Sequence, residues 1–281
     1  MTLFIFFPAY NGTPPSLSAQ TARSAFPIDP NLLRKIINLA DLQPDDYVCE
    51  IGPGGGALTR LLCQSAKQVL ALEVDPRMVV FLKEEFAEYS NLDIQEHDAL
   101  RFSFDQLPEP AVVVANLPYN ISTPIMFRLL EARPRIRRMV LTVQLEVAKR
   151  LTARPNTKDY GVLSVMAQRL ADVRFGFPVS RKCFRPVPDV DSGVVRLDIS
   201  VHQTYSTQEA EAFALVVRAA FAQRRKTLLN ALRGAGFSLT CLESAQERTG
   251  IPLTRRAETL SVGEFQQLSE ALNDPMLPSA S

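Results

Sequence analysis

Short apolar runs alternate along most of the chain with stretches whose apolar positions recur every three or four residues. Asp29-Pro30 opens a helix in which Leu32, Leu33, Ile36, Ile37 and Leu39 share one face. Residues 47–51, 68–74, 92–96 and 111–115 read as short buried strands. Helices are predicted to start at Ala57, to span 76–88 and to follow over 123–130. A further strand is expected over 138–143 and a helix over 145–151, with another over 160–170 despite Gly161. Two late strands, 173–178 and 194–199, flank a segment whose Pro186 and Pro188 exclude regular pairing. From Ser206 the strand signals stop. Helices are predicted over 209–224, 227–233, 239–249 and 262–272, punctuated by Gly234, Gly236, Gly250 and Pro252.

The alternation predicts an α/β fold with a parallel sheet and right-handed crossovers. The composition shift near 200–205 predicts a domain boundary. Residues 1–24, rich in Ser, Thr, Pro and Ala, are expected to form a loosely ordered extension. Residues 25–202 would be the α/β domain and 203–281 a small all-helical domain. A chain of 281 residues has room for both.

The stretch with the most chemistry is Asn116-Leu117-Pro118-Tyr119-Asn120-Ile121-Ser122, directly after the run Ala111-Val112-Val113-Val114-Ala115. It places a turn at the carboxyl end of a buried strand, where open α/β sheets bind ligands. The Asn116 side-chain oxygen and a carbonyl beside Pro118 are two acceptors that can face one –NH2 group. Tyr119 offers a flat face for a base. The turn reads as a receptor for the exocyclic amine of a planar heterocycle; an ordinary strand-to-helix turn uses the same residue types.

Gly52-x-Gly54-x-x-Ala57 follows the first strand, and Glu73 ends the second, where an acid can grip both ribose hydroxyls. Together they predict an adenosine-cofactor site without separating NAD from S-adenosylmethionine. Asp98, after the third strand, is placed to accept from the cofactor's adenine amine or to serve as a turn residue. A nicotinamide site wants a general acid or base near the hydride, and no such residue is evident. Methyl transfer to an amine needs none. Its difficulty is a lone pair delocalised into the ring, and two acceptors can draw the N–H bonds out of plane.

The bulk numbers narrow the setting. No apolar run approaches the roughly 20 residues of a membrane span. The apolar opening Met1–Phe7 is short, lacks a basic flank and is cut by Pro8, unlike a signal peptide. Cys49, Cys63, Cys183 and Cys241 are scattered, which predicts a reducing, cytoplasmic setting with no disulfide framework. With only two histidines, no metal site is expected. Net charge is +1, but residues 133–196 carry 14 Lys and Arg against 5 Asp and Glu, leaving −8 elsewhere. That asymmetry suggests a basic face for phosphates, or a solvated face paired with acids from the remainder.

With these motifs laid out, the chain resembles the KsgA/RsmA ribosomal RNA adenine dimethyltransferases from about Phe26 to Leu272. The resemblance is carried by Glu50–Thr59, Glu73-Val74-Asp75, Asp98-Ala99-Leu100, Asn116–Ile125, Phe184-x-Pro-x-Pro-x-Val-Asp-Ser192 and Phe221-Ala-Gln-Arg-Arg-Lys-Thr-Leu228. It implies a class I, Rossmann-like, S-adenosylmethionine-dependent methyltransferase domain with a small helical C-terminal domain. It also implies dimethylation of two adjacent adenosines in the 3′-terminal hairpin loop of 16S rRNA, within small ribosomal subunit precursors. In that family the positions of Gly52, Gly54, Glu73, Asp98 and Asn116 hold the methyl donor, and Asn116, Pro118 and Tyr119 serve the target base. Phe184 would stack opposite Tyr119, or anchor its loop in the core. Arg224, Arg225 and Lys226, expected on a helix, would clamp RNA phosphates or dock the two domains.

The family's Gly-Gln-Asn/His-Phe-Leu segment is here Arg23-Ser24-Ala25-Phe26-Pro27, so no cofactor role is carried to Ala25 or Pro27. Position 189 is Asp where relatives tend to have Lys. A non-catalytic assembly factor, a large-subunit resistance methylase and a dehydrogenase are the rival readings. A monomer is expected.

Overall fold

The computed structural model describes residues 26–27, 29–108, 110–133, 135–200 and 205–273. The extension expected over 1–24 lies outside the described residues. The chain forms two compact units, one holding 26–149 and 171–200, the other 150–170 and 205–273.

The first unit begins with β1 (Phe26–Pro27) and α1 (Pro30–Ala40). Asp29 caps α1 by accepting from the Asn31 N–H at 2.8 Å, and Leu32, Leu33, Ile36 and Ala40 form its buried face. There follow β2 (Tyr47–Ile51), α2 (Ala57–Ser65), β3 (Gln68–Glu73), α3 (Pro76–Glu85) and β4 (Leu92–Glu96). Then come β5 (Ala111–Asn116), α4 (Ser122–Glu131), β6 (Ile136–Gln144) and α5 (Leu145–Leu151). After α6 (Val162–Leu170), the unit is completed by β7 (Ala171–Val179), β8 (Phe184–Arg185) and β9 (Ser192–Ile199).

Seven strands form one sheet in the order β4-β3-β2-β5-β6-β9-β7. The β4-to-β6 part is parallel, as the alternation predicts, but β9 is antiparallel to both β6 and β7, so the sheet is mixed. Val112, Val113 and Val114 of β5 are fully buried, which is why this stretch reads as a continuous apolar run. Burying each such side chain contributes about 1.5–3 kcal/mol.

One expectation is corrected here, and one alternative left open by the charge count is decided. The Phe184 segment does pair: Phe184 and Arg185 form a short antiparallel ladder with Phe26 and Pro27, ending before Pro186. The basic stretch does not form one open face. Arg137 bonds Asp46 at 2.7 Å, Arg138 bonds Asp198 at 2.8 Å and Asp41 at 3.1 Å, Arg196 bonds Asp198 at 2.8 Å, and Arg174 pairs with Asp172. Cations that look free in the sequence tie strands to α1 and to each other.

The second unit is helical: α6 with α7 (Thr207–Phe221), α8 (Leu228–Gly234), α9 (Leu239–Thr249) and α10 (Val262–Leu272). The sequence predicts one crossing near 200–205; the structure adds residues 150–170 to the helices. The reason is packing around Tyr160. Its ring meets Phe221 at 6.0 Å, Phe221 meets Phe265 at 5.6 Å, and the Tyr160 hydroxyl donates to the Leu260 carbonyl at 2.9 Å. Arg169 of α6 lies between the rings of Tyr205 and Phe213, at 3.7 and 3.9 Å. Ser206 with Glu209 and Ser261 with Glu264 form capping boxes that start α7 and α10.

Candidate active site

Strand order reverses beside β2, because β3 and β4 lie on one side and β5 and β6 on the other. The carboxyl ends of these strands therefore part at a switch point, and a cavity of about 620 Å³ opens there.

Its first half is built by β2, β3 and β4. Gly52, Gly54 and Gly56 all have positive φ, at 73°, 55° and 79°, a backbone that side chains other than glycine resist. The turn they make presents the Gly54 N–H towards Glu73. That carboxylate is 8% exposed and accepts from the N–H groups of Val74 at 2.8 Å, Asp75 at 3.0 Å and Gly54 at 3.3 Å. Three of its four lone-pair sites are used, and its remaining capacity faces the cavity, which Glu73 lines. Asp98 lines it too. Its Oδ1 accepts from the Leu100 N–H at 2.9 Å, and Arg101 stands 3.8 Å from Oδ2. The turn role and the cavity role thus coexist in one carboxylate.

Glu50, 2% exposed, lies behind the glycine turn. Burial raises its carboxyl to about 8, and the Glu73 charge adds to that rise. One Glu50 oxygen and the Thr59 hydroxyl are buried without a hydrogen-bond partner among the described residues.

The second half is built by β5 and β6. Asn116 ends β5, and Asn116, Pro118 and Tyr119 all line the cavity. The Pro118 carbonyl accepts from the Ile121 N–H at 3.1 Å, and the Tyr119 carbonyl from the Ser122 hydroxyl at 3.1 Å. The acceptor beside Pro118 that no described donor occupies is thus the Leu117 carbonyl. Tyr119 is half-buried, its hydroxyl 2.7 Å from Ser192 Oγ, and burial raises its phenol above the ordinary range.

Phe184 also lines the cavity, yet it is 1% exposed and packed in the cluster holding Leu32, Leu33 and Val179. Its ring is shielded from bulk solvent. Gly54 contributes through its bond to Glu73 rather than as a lining residue. Gln144 and Val187 line the cavity without having been singled out in the sequence. The position of Gln144 at the end of a strand beside β5 was the available signal.

The basic triplet belongs to the helical unit. Arg224, Arg225 and Lys226 lie on the turn between α7 and α8, not on a helix, because α7 ends at Phe221 and Thr227 caps α8. Arg224 donates to the carbonyls of Lys158 at 2.8 Å and Tyr160 at 3.1 Å, and stands 3.9 Å from Glu258. Arg224 and Arg225 line a second cavity, of about 390 Å³, with Lys158, Arg256, Asn156, Thr157 and Glu258. Lys226 is exposed beside it.

A model of the ribosomal RNA adenine dimethylase family matches residues 20–274. The chain belongs to that family. The α/β fold is that of class I, Rossmann-like methyltransferases with a helical C-terminal region.

Two curated relatives are named ribosomal RNA small subunit methyltransferase A. That of Geobacillus thermodenitrificans is 43% identical over 258 residues, covering 88% of each chain. That of Clostridium acetobutylicum is 40% identical over 250 residues, covering 88% of this chain and 91% of the relative. Among solved structures, the 23S rRNA methyltransferase ErmE is 30% identical with a TM-score of 0.70, covering 89% of this chain and 100% of that one. A dimethyladenosine transferase from Plasmodium falciparum is 27% identical with a TM-score of 0.72, covering 86% and 95%. The family sets aside the dehydrogenase reading.

Proposed function

We propose that this protein dimethylates the exocyclic amines of two adjacent adenosines in the 3′-terminal hairpin loop of 16S rRNA, using S-adenosylmethionine, within small-subunit precursors in the cytoplasm. The observation that carries this reading is one cavity joining the Gly52–Glu73–Asp98 wall to the Asn116–Tyr119 turn. The residues fit the cofactor. Glu73 keeps acceptor capacity for a ribose diol, Asp98 an oxygen for an adenine amine, and the glycine turn leaves room for backbone approach. When bound, S-adenosylmethionine supplies an electrophilic methyl group.

The chain's own residues do the rest. Asn116 Oδ1 and the Leu117 carbonyl accept the two N–H bonds of the target amine and draw them out of the ring plane. The nitrogen lone pair is then free for attack, and the same oxygens stabilise positive charge as it develops there. Tyr119, fixed by Ser192, offers its face to the unstacked base, and Phe184 forms the wall behind. No general base is needed before attack, because the amine gives up its proton only once it is cationic. In the helical unit, Lys158, Arg225 and Arg256 gather around Arg224 with one acid, Glu258, and suit the phosphates of an RNA backbone.

The 40–43% identity to relatives named for the small subunit, against 30% to ErmE, favours the small-subunit substrate. Labelled methyl transfer from S-adenosylmethionine to unmethylated small and large subunits, offered separately, tests it. The expected outcome is dimethyladenosine on the small subunit, lowered at least a hundredfold in Asn116→Ala. Label on the large subunit would move the protein to the resistance methylases. No label, with RNA binding intact, would leave an assembly factor.

A further inference from the structure

Gln144 is the last residue of β6 and has no role in the site as described so far. Register places it there for a reason. Asn116 of β5 pairs level with Thr142, and the Leu117 N–H donates to the Thr142 carbonyl at 3.2 Å. Gln144 lies two residues further along β6, so its side chain leaves the same sheet face as Thr142 and Asn116. On its other side Gln144 pairs with Ser192, whose hydroxyl is the one holding Tyr119. Gln144 therefore stands between the amine-binding turn and the support of the stacking tyrosine. It is half-buried, lines the cavity, and its amide makes no hydrogen bond among the described residues.

The chemistry of the target leaves one need unmet. An adenine whose amine is held by Asn116 and Leu117 still presents a ring-nitrogen acceptor on each side of that amine, N1 and N7. The Tyr119 hydroxyl is engaged with Ser192, and His97 follows β4, on the far side of β3 with its Nδ1 3.1 Å from the Asp98 carbonyl. Gln144, on the β6 side, carries an –NH2 donor. Resting on the proposed methyl transfer, we infer that Gln144 donates its Nε2–H to a ring nitrogen flanking the target amine, and so helps hold the base in register with the Asn116 turn.

The test is a substitution cycle on small subunits reconstituted with 16S rRNA whose 3′ hairpin is ligated from synthetic RNA. The target positions carry adenosine, 1-deazaadenosine or 7-deazaadenosine, each of the last two replacing one ring nitrogen by C–H. Wild type should prefer adenosine over one of the analogues by about tenfold in kcat/KM. Gln144→Leu should lose about tenfold on adenosine and show no such preference. Gln144→Glu, which keeps the shape and removes the donor, should behave alike, so a folding defect in one variant does not decide the matter. An analogue preference that persists unchanged in both variants, or is absent from wild type, overturns the inference. A merely structural role lowers all three substrates equally and gives that result. Wild type inert towards the adenosine particle would instead sink the proposed function.

Discussion

At the scale of single residues, burial sets the chemistry more than sequence neighbours do. Glu50 lies one residue from the glycine turn, and nothing in its motif distinguishes it from a surface acid. In the fold it is 2% exposed, with its carboxyl raised to about 8 by burial. An unfolded carboxyl ionises near 4.3. Between those values the folded chain holds a proton that the unfolded chain has lost, so stability is fully present at low pH and falls as pH rises through 8. Glu50→Gln should remove that slope. Urea midpoints at pH 5, 6.5 and 8 should fall more steeply for wild type than for the variant, which keeps the contribution of the other raised carboxyl, Glu131; equal slopes would refute the assignment. Tyr119 gives a second residue-scale prediction. Ser192→Ala removes the 2.7 Å contact of its hydroxyl, and methyl transfer should drop by about tenfold through the loss of one hydrogen bond. Cofactor affinity, measured by calorimetry, should be unchanged, because Ser192 does not line the Gly52–Glu73 wall.

At the scale of elements, the glycine turn shows why its residues are not interchangeable. A Cβ on Gly56 would lie 2.4 Å from the Phe86 ring, with φ at 79°. A Cβ on Gly55 would meet nothing within 4 Å. Gly56→Ala should therefore cost about 3 kcal/mol, from the left-handed backbone and the overpacked ring, while Gly55→Ala should be close to neutral. Denaturant melts of the two variants decide this, and similar losses in both would contradict the packing argument. The sequence resolved most elements to within a few residues, because caps such as Asp29 and Asp75 with their following prolines are local signals. It missed β1 and β8, whose pairing joins residues far apart in the chain. It also extended α7 to Arg224, although the helix ends at Phe221.

At the scale of the molecule, the net charge of +1 conceals where cations are committed. Arg137, Arg138 and Arg196 hold the sheet unit together through ion pairs. The cluster of Lys158, Arg225 and Arg256 around Arg224 has a single acid in its lining, Glu258. Arg225→Ala should weaken binding to small-subunit particles by about tenfold at low salt and reduce the slope of log K against log salt by about one. Filter binding across a salt series measures this. An unchanged slope would mean that Arg225 contacts no phosphate.

The sequence by itself determined the strand and helix order, the glycine turn with its spaced acid, and the Asn116–Tyr119 turn at a strand end. These are local patterns, set by side-chain period, capping and backbone freedom, and they are legible without contacts. The tertiary structure decided what depends on distant partners: that β9 runs antiparallel into the sheet, that residues 150–170 pack with the C-terminal helices, that Phe184 is buried, and that Gln144 faces the same cavity as Asn116. Burial and register are properties of the packed chain, and no window of the sequence carries them.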